Sequence, residues 1–316
     1  MPHVSVIVPT YNRATYIARA VNSILSQTYR DFEVIVVDDG STDHTRQVLA
    51  AYGDRVRYVF QDNAGPGAAR NHGIRLSTGQ YLAFLDSDDM WMPAFLEKTV
   101  GALDAHPSVD VATTGLYVGP ADRKTPAHLE GVQTGPWQLP TRFRQRQLPF
   151  LLNGFWSGSL VVRQEVVGRY GGFYEQGCTL GEDIYLWVQV LLNHAVYRLG
   201  EPLVWYDTGA SQLGFASGRR DFPLEPVLVD PDPIWRHCPG QHRAFLSAWL
   251  ALHAVKSMHM QIATGHPENA RWLLEHYPLV RRWPWDWLRI RFKLAFPRAT
   301  ELLRRAKHTL RGRELL

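Results

Sequence analysis

The chain has 316 residues, of which 45% are hydrophobic and 20% charged, and its net charge is +4. This is the balance of a soluble globular protein with enough chain for one large domain or two small ones, and it excludes intrinsic disorder. Two cysteines, Cys178 and Cys238, make neither a disulfide framework nor a zinc site, so a reducing compartment is expected.

Residues 1–3 lead into the apolar run 4–8 (VSVIV) without the basic flank or cleavage site of a secretory signal. That run, closed by Pro9, reads as a strand buried on both faces. Ile17, Ala20, Val21, Ile24 and Leu25 then fall at helical spacing within 13–27. A second buried strand is predicted at 32–37 (FEVIVV), a helix at 42–52, a third strand at 56–60 and a helix at 67–76. A fourth strand, 81–85 (YLAFL), precedes a helix over 93–105 with proline in its first turn, and 109–113 closes the series. Strands alternating with helices imply a parallel sheet covered on both faces, which binds ligands at the carboxyl ends of its strands.

Those ends carry the polar residues. Strand one ends in Pro9-Thr10-Tyr11-Asn12, strand two in Asp38-Asp39-Gly40-Ser41 and strand four in Asp86-Ser87-Asp88-Asp89. Five carboxylates at one edge repel each other unless a cation or a donor-rich ligand sits among them. Hard oxygen ligands favour Mg²⁺ or Mn²⁺, which commonly bridge to a diphosphate. Ser41 and Asp43 also suit capping of the helix that follows. Gly65-Pro66-Gly67 follows the third strand rather than the first, and Arg70 breaks the G-x-G-x-x-G spacing; no P-loop sequence occurs. Nicotinamide and P-loop chemistry are therefore unsupported.

The runs VSVIVPTYN, VIVVDDGSTD, NAGPGAARNHGI and GQYLAFLDSDD, taken in order, resemble the family 2 glycosyltransferases, which have the GT-A fold. The resemblance continues through GSLVVRQEVVGRYGGFYEQ and LGEDIYLWVQVLL and covers roughly residues 3–215. It implies a Rossmann-like α/β domain with a mostly parallel sheet and flanking helices over 1–215. A nucleotide-binding half would span 1–115 and an acceptor-side half 116–215, followed by a linker and helical extension over 216–316.

The resemblance also implies roles. Pro9, Thr10 and Tyr11 would line the nucleotide base, Asp39 would accept from a pyrimidine N3–H, and Arg70 would lie near the nucleotide; Arg70 also reads as a surface arginine on a helix. Asp86-Ser87-Asp88 matches the DXD motif, with Asp88 holding Mn²⁺ or Mg²⁺ and Asp86 towards the ribose or the metal. Asp183 of the Glu182-Asp183 pair would be the base for an inverting displacement, with Glu182 its understudy. An acid in the first turn of a helix also suits the helix dipole. Trp156, Ser157 and Gly158 would line the donor and acceptor cleft, whereas Trp187 and Trp205 read as core. Many members carry a histidine after the acceptor segment that can complete the metal site; here the stretch is Val204-Trp205-Tyr206-Asp207-Thr208-Gly209. Asp207, solvent or phosphate oxygens would have to fill that place. The Q-x-x-R-W signature of processive synthases is absent, which favours transfer of one sugar per event.

Residues 216–240 read as a proline-rich linker, with helices at 242–261 and 267–276 and a last one opened by Pro297. From 281 to 316 there are eleven Lys/Arg against three Asp/Glu, so a basic, Trp-rich tail follows a mildly acidic front. Arginines beside Trp283, Trp285 and Trp287 fit the headgroup zone of an anionic membrane, or a helix packed on the domain with a solvated basic face. Nucleic-acid binding finds no motif. The expected activity is metal-dependent, inverting transfer from a nucleotide-diphosphate sugar, most simply a UDP-sugar, to a glycan or lipid-linked acceptor. The expected location is the cytoplasm, with peripheral contact at the inner face of a membrane. The competing readings are a sugar-nucleotide-forming nucleotidyltransferase, which PTYNRAT in place of a Gly-rich loop disfavours, and a catalytically inactive family member that only binds.

Overall fold

The structure is a computed structural model and describes residues 2–127, 132–152, 155–178, 180–210 and 222–296. The chain divides into two compact units, Met1–Arg219 with Glu225–Arg243, and Arg220–Leu224 with Ala244–Leu316.

The first unit holds the strands β1 (Val4–Thr10), β2 (Phe32–Asp39), β3 (Arg57–Gln61), β4 (Tyr81–Phe84), β5 (Met90–Trp91), β6 (Val111–Val118), β7 (Thr125–Ala127), β8 (Gly135–Trp137), β9 (Leu160–Arg163) and β10 (Val196–Tyr206). Its helices are α1 (Ile17–Leu25), α2 (Thr45–Ala50), α3 (Pro66–Leu76), α4 (Phe95–Ala105), α5 (Leu148–Leu151), α6 (Gln164–Arg169), α7 (Glu182–Asn193), α8 (Pro226–Val229) and α9 (Asp232–His237). Among the described residues the strands form one sheet in the order β3-β2-β1-β4-β9-β6-β10-β5, with β7 on β6 and β8 on β10. β1 pairs in parallel with β2 and β4, and β2 with β3, as the alternating pattern predicts.

The continuous apolar runs arise from burial on both faces. Val4, Val6 and Val8 face a core shared with Ile17, Val21 and Ile24 of α1 and Leu96 and Val100 of α4. Ile7 faces the opposite side, with Phe84, Val162, Leu186 and Trp187. Val34 and Val36 of β2 join the first core, while Ile35 and Val37 pack on Ala69 of α3.

The parallel series stops earlier than its spacing suggests. β9 inserts between β4 and β6 and runs antiparallel to both. It arrives after a long excursion rather than through a helical crossover, so nothing constrains it to run parallel. β10 then pairs in parallel with β6 across a register shift around Pro202, where Gly200-Glu201-Pro202 interrupts the strand pattern. The helices expected at 13–27 and 42–52 are shorter, because side chains of Asn12 and Asp43 hold the preceding residues in turns. The described part of 216–240 is also more ordered than a linker: α8 and α9 bury Val227, Leu228 and Ile234, and His237 Nδ1 lies 2.8 Å from Gln189 Oε1 of α7.

The described part of the second unit is mainly helical, formed by α10 (Arg243–Thr264), α11 (Pro267–His276) and α12 (Pro284–Ala295). Gln261 of α10 donates to the Phe222 carbonyl and accepts from Asn269 of α11. His259 of α10 lies 3.3 Å from Asp286 and 3.4 Å from Lys293 of α12. The helix expected after Pro297 lies outside the described residues. No helix among the described residues is long and apolar enough to cross a membrane.

Candidate active site

The carboxyl ends of β1 and β2 are laced together by short polar side chains. Asn12 has a left-handed φ of 51°, and its backbone N–H donates to Ser41 Oγ at 2.8 Å. Its side-chain oxygen accepts from Thr42 N at 2.8 Å, and Asp43 accepts from Ala14 N and Thr45 N. Asp43 therefore fastens the turn before α2, the role its position suggests. This lacing presents Tyr11 half in solvent beside a buried Thr10, whose Oγ1 has no hydrogen-bond partner among the described residues. Pro9 is buried within the end of β1.

Asp39 is buried and largely committed. Its carboxylate accepts from Gln61 Nε2 at 2.7 Å and from the backbone N–H groups of Ala64 and Gly65 at 2.9 Å each. A carboxylate offers about four lone-pair positions, so one position on Oδ2 is left for an outside donor. Gly65 holds a φ of 92°, and a Cβ on Gly67 would run into the Tyr174 carbonyl. The Gly-Pro-Gly run thus lets α3 start close against the segment before α7, a packing role rather than a dinucleotide cradle.

That close approach carries Arg70 into the centre of the site. Arg70 is 4% exposed and forks between two acids, Nη1 to Glu182 Oε1 and Nη2 to Asp86 Oδ1, each at 2.6 Å. Burial alone would lower this guanidinium, but Asp86 and Glu182 outweigh it and hold the pKa above its ordinary value. Arg70 is therefore not a surface arginine. The same geometry engages Glu182, which leaves Asp183 as the uncommitted acid of the pair.

Asp183, in the first turn of α7, is half-buried, and desolvation with the neighbouring Glu182 charge pushes its carboxyl up to about 7. Ser157 Oγ stands 3.5 Å from Asp183 Oδ2 and accepts from Trp187 Nε1 at 3.0 Å, which steadies the approach. Trp156, 39% exposed, packs beside Tyr206 with ring centroids 5.2 Å apart, while Ser157 and Gly158 are buried behind it. Trp187 and Trp205 are core residues, 2% and 3% exposed.

The loop after β4 crowds three carboxyl groups together. Burial and Asp86 push Asp88 up to about 6, and burial with Asp88 and Asp86 pushes Asp89 well above the carboxylate range. Arg13 Nη2 lies 3.6 Å from Asp88 Oδ2. Asp207, at the place where the family resemblance would put a histidine, is ion-paired with Arg19 at 2.8 Å. Arg19 also donates to the Asp88 carbonyl and stacks 4.5 Å from the Trp205 ring centroid. Among the described residues no group of three or more His, Cys, Asp or Glu side chains could hold a metal ion alone. Asp88 with Asp86 nevertheless suits Mg²⁺ or Mn²⁺ shared with a diphosphate, since such ions take one or two carboxylates and complete their shell with phosphate and water. The excess of desolvated carboxyl groups at the loop fits an added cation.

The structure thus brings Arg70, Asp86, Glu182 and Asp183 into one cluster, with Ser157 against Asp183. Asp39, Thr10 and Tyr11 stand along the neighbouring strand ends. Sequence reasoning missed Arg13 and Arg19. Their only signal was charge at the start of α1 and on a helix that is otherwise apolar where it meets the sheet.

The family profile described as "Glycosyl transferase family 2" matches residues 5–171. An uncharacterized glycosyltransferase of Rickettsia typhi is 31% identical over 205 residues, 64% of this chain and 63% of that protein. The uncharacterized glycosyltransferase EpsJ of Bacillus subtilis is 35% identical over 216 residues, 66% of this chain and 60% of that one. The matched regions span less than two thirds of these relatives' length, and only 19% and 31% of two further ones. Among solved structures, S. aureus TarS 1–349 in complex with UDP superposes with a TM-score of 0.55 at 22% identity, covering 82% of this chain and 68% of that one. The mannosyltransferase PcManGT of Pyrobaculum calidifontis, in complex with GDP-Man and Mn²⁺, gives 0.52 at 20% identity, covering 95% and 87%. These likenesses establish a GT-A-type α/β fold, and the chain belongs to glycosyl transferase family 2.

Proposed function

We propose that the chain transfers a single sugar from a nucleotide-diphosphate donor, in the first instance a UDP-sugar, to a hydroxyl of a glycan or lipid-linked acceptor, with inversion. The catalytic work is assigned to residues 1–215, with the nucleotide in the half formed by 1–115 and the acceptor against 116–215. The observation that carries the reading is Asp183: a half-buried carboxyl group pushed up to about 7, beside a glutamate ion-paired with Arg70 and an aromatic cleft wall.

Tyr11 offers a ring face to the base, Thr10 Oγ1 an unused polar atom, and Asp39 its remaining lone pair to a pyrimidine N3–H. Arg70 orients Asp86 towards the ribose while its other arm occupies Glu182. Asp88, with Asp86, would hold Mn²⁺ or Mg²⁺, which supplies charge neutralisation for the leaving diphosphate. Trp156 provides a surface for a sugar ring. Asp183 takes the proton from the acceptor hydroxyl as its oxygen bonds to the anomeric carbon. The bond from that carbon to the diphosphate oxygen breaks on the opposite face, and the nucleoside diphosphate leaves with the electron pair.

Structural neighbours in complex with UDP, UDP-GlcNAc and GDP-Man support a nucleotide-sugar donor, and the Mn²⁺ in one of them supports a divalent ion. A lipid-linked acceptor, a cytoplasmic location and contact of 281–316 with the inner face of a membrane complete the reading. The test is a screen of sugar nucleotides with Mn²⁺, read by free nucleotide release, followed by NMR of the product anomer. A retained configuration, or no release from any sugar nucleotide, overturns it.

A further inference from the structure

α12 carries two apolar faces where packing needs one. Its inner face holds the fully buried Ile290 and the half-buried Trp287 and Leu294, while Asp286 and Lys293 engage His259 of α10. At about 100° per residue, Trp285, Leu288 and Phe292 fall together on the opposite side. These three are 77%, 51% and 47% exposed, and Phe296 continues their line with its ring centroid 5.2 Å from that of Phe292. Arg289 and Arg291 sit at the two borders between the faces, both exposed, and Arg281 and Arg282 precede the helix. The helix has a single acid, Asp286, on the inner side.

We propose that this outer face of α12 seats in the interfacial zone of an anionic lipid bilayer, with Trp285, Leu288 and Phe292 entering below the headgroups and Arg289 and Arg291 pairing with them. A helix apolar on one side and basic at its borders lies flat in this way, and tryptophan favours the headgroup level. The charge pattern selects lipid over a second copy of the chain. A two-fold pairing through this face would bring the arginine borders together, whereas anionic headgroups neutralise them. The proposal deepens the membrane contact assigned above to 281–316 by placing it on one described helix face, and it does not depend on the transfer chemistry.

The experiment is co-sedimentation of the full chain with phosphatidylcholine vesicles, with and without phosphatidylglycerol, over a salt series. Wild type is expected to bind the anionic vesicles and to lose that binding as salt rises. Trp285→Ser/Leu288→Ser/Phe292→Ser is expected to bind at least about tenfold more weakly, since three large apolar side chains leave the bilayer. Arg289→Glu/Arg291→Glu, which leaves the apolar line intact, is expected to lose the preference for phosphatidylglycerol. Unchanged circular dichroism and melting in either variant keeps the result interpretable. Full binding by both variants overturns the assignment to α12 while leaving a membrane contact elsewhere in 281–316. No binding of wild type to anionic vesicles overturns both. A wild-type dimer that the serine variant converts to a monomer makes a second copy the occupant, and equally overturns the proposal.

Discussion

Replacing Asp183 by asparagine should remove activity and stabilise the fold, in a pH-dependent way. In the folded chain this carboxyl is pushed from 3.8 to about 7 by burial and by Glu182. Its folded pKa thus lies above its unfolded value, so the native state is favoured while the group is neutral. That contribution is complete below about pH 4, is lost as pH rises towards 7, and stays lost above it. Asparagine mimics the neutral acid at every pH and can still accept from the Ile184 N–H, which donates to Asp183 Oδ1 at 2.7 Å. At about 1.4 kcal/mol per pKa unit the ceiling is roughly 4 kcal/mol. The altered contact with Ser157 and relaxation around a charged Asp183 reduce this to about 2 kcal/mol. For a chain of this size that is a Tm gain of roughly 3 °C. The assay is thermal unfolding of wild type and Asp183→Asn across pH 4.5–8.5, in ~0.1 M salt. The Tm difference should be smallest at the acid end, about a quarter of its full value, and full by pH 8. A constant difference, or destabilisation at pH 8, refutes the reasoning.

Arg70→Met strands Glu182, 8% exposed, next to Asp183 and should cost about 3–5 kcal/mol at pH 8, with less loss at pH 5. The arm to Asp86, 39% exposed, adds little, and Arg70→Lys should fall between because it cannot fork. A Tm within a degree of wild type for Arg70→Met would show that the pair is not coupled. UDP should raise the Tm with Mn²⁺ far more than with EDTA; equal shifts would remove the shared cation at Asp88. Asp39→Asn swaps one acceptor oxygen for an amide and should weaken UDP binding by about tenfold, read by calorimetry, while unchanged affinity would place the base elsewhere. Asp88→Asn should abolish the difference between Mn²⁺ and EDTA while leaving the fold intact, and a persistent metal effect would shift the ligand role to another residue.

The strands and the polar strand ends were legible because each follows from local rules. Two-sided burial makes β1 and β2 continuous apolar runs, and ligand-facing ends leave DDGS and DSDD just past them. Pairing across distance was not legible. Nothing in residues 160–163 says that β9 will slot between β4 and β6, since partner choice depends on which edge is open when the segment returns. Arg70 was ambiguous as a helix residue and became interpretable only when Gly67 brought α3 against the Tyr174 carbonyl. Arg13 and Arg19 were overlooked for the same reason: their partners Asp88 and Asp207 lie far along the chain. The freedom of Asp183 relative to Glu182 likewise depends on which acid Arg70 reaches. α12 showed a mixed pattern because it has two apolar faces, which a one-sided helix template blurs.

The account rests on Asp183 as the group that accepts the acceptor proton. The direct measurement is transfer or donor turnover by wild type and Asp183→Asn at pH 8, with nucleotide affinity determined alongside by calorimetry. The account predicts a loss of about 10²–10⁴-fold in turnover, with UDP affinity unchanged within a few fold. Turnover close to wild type in Asp183→Asn would contradict it.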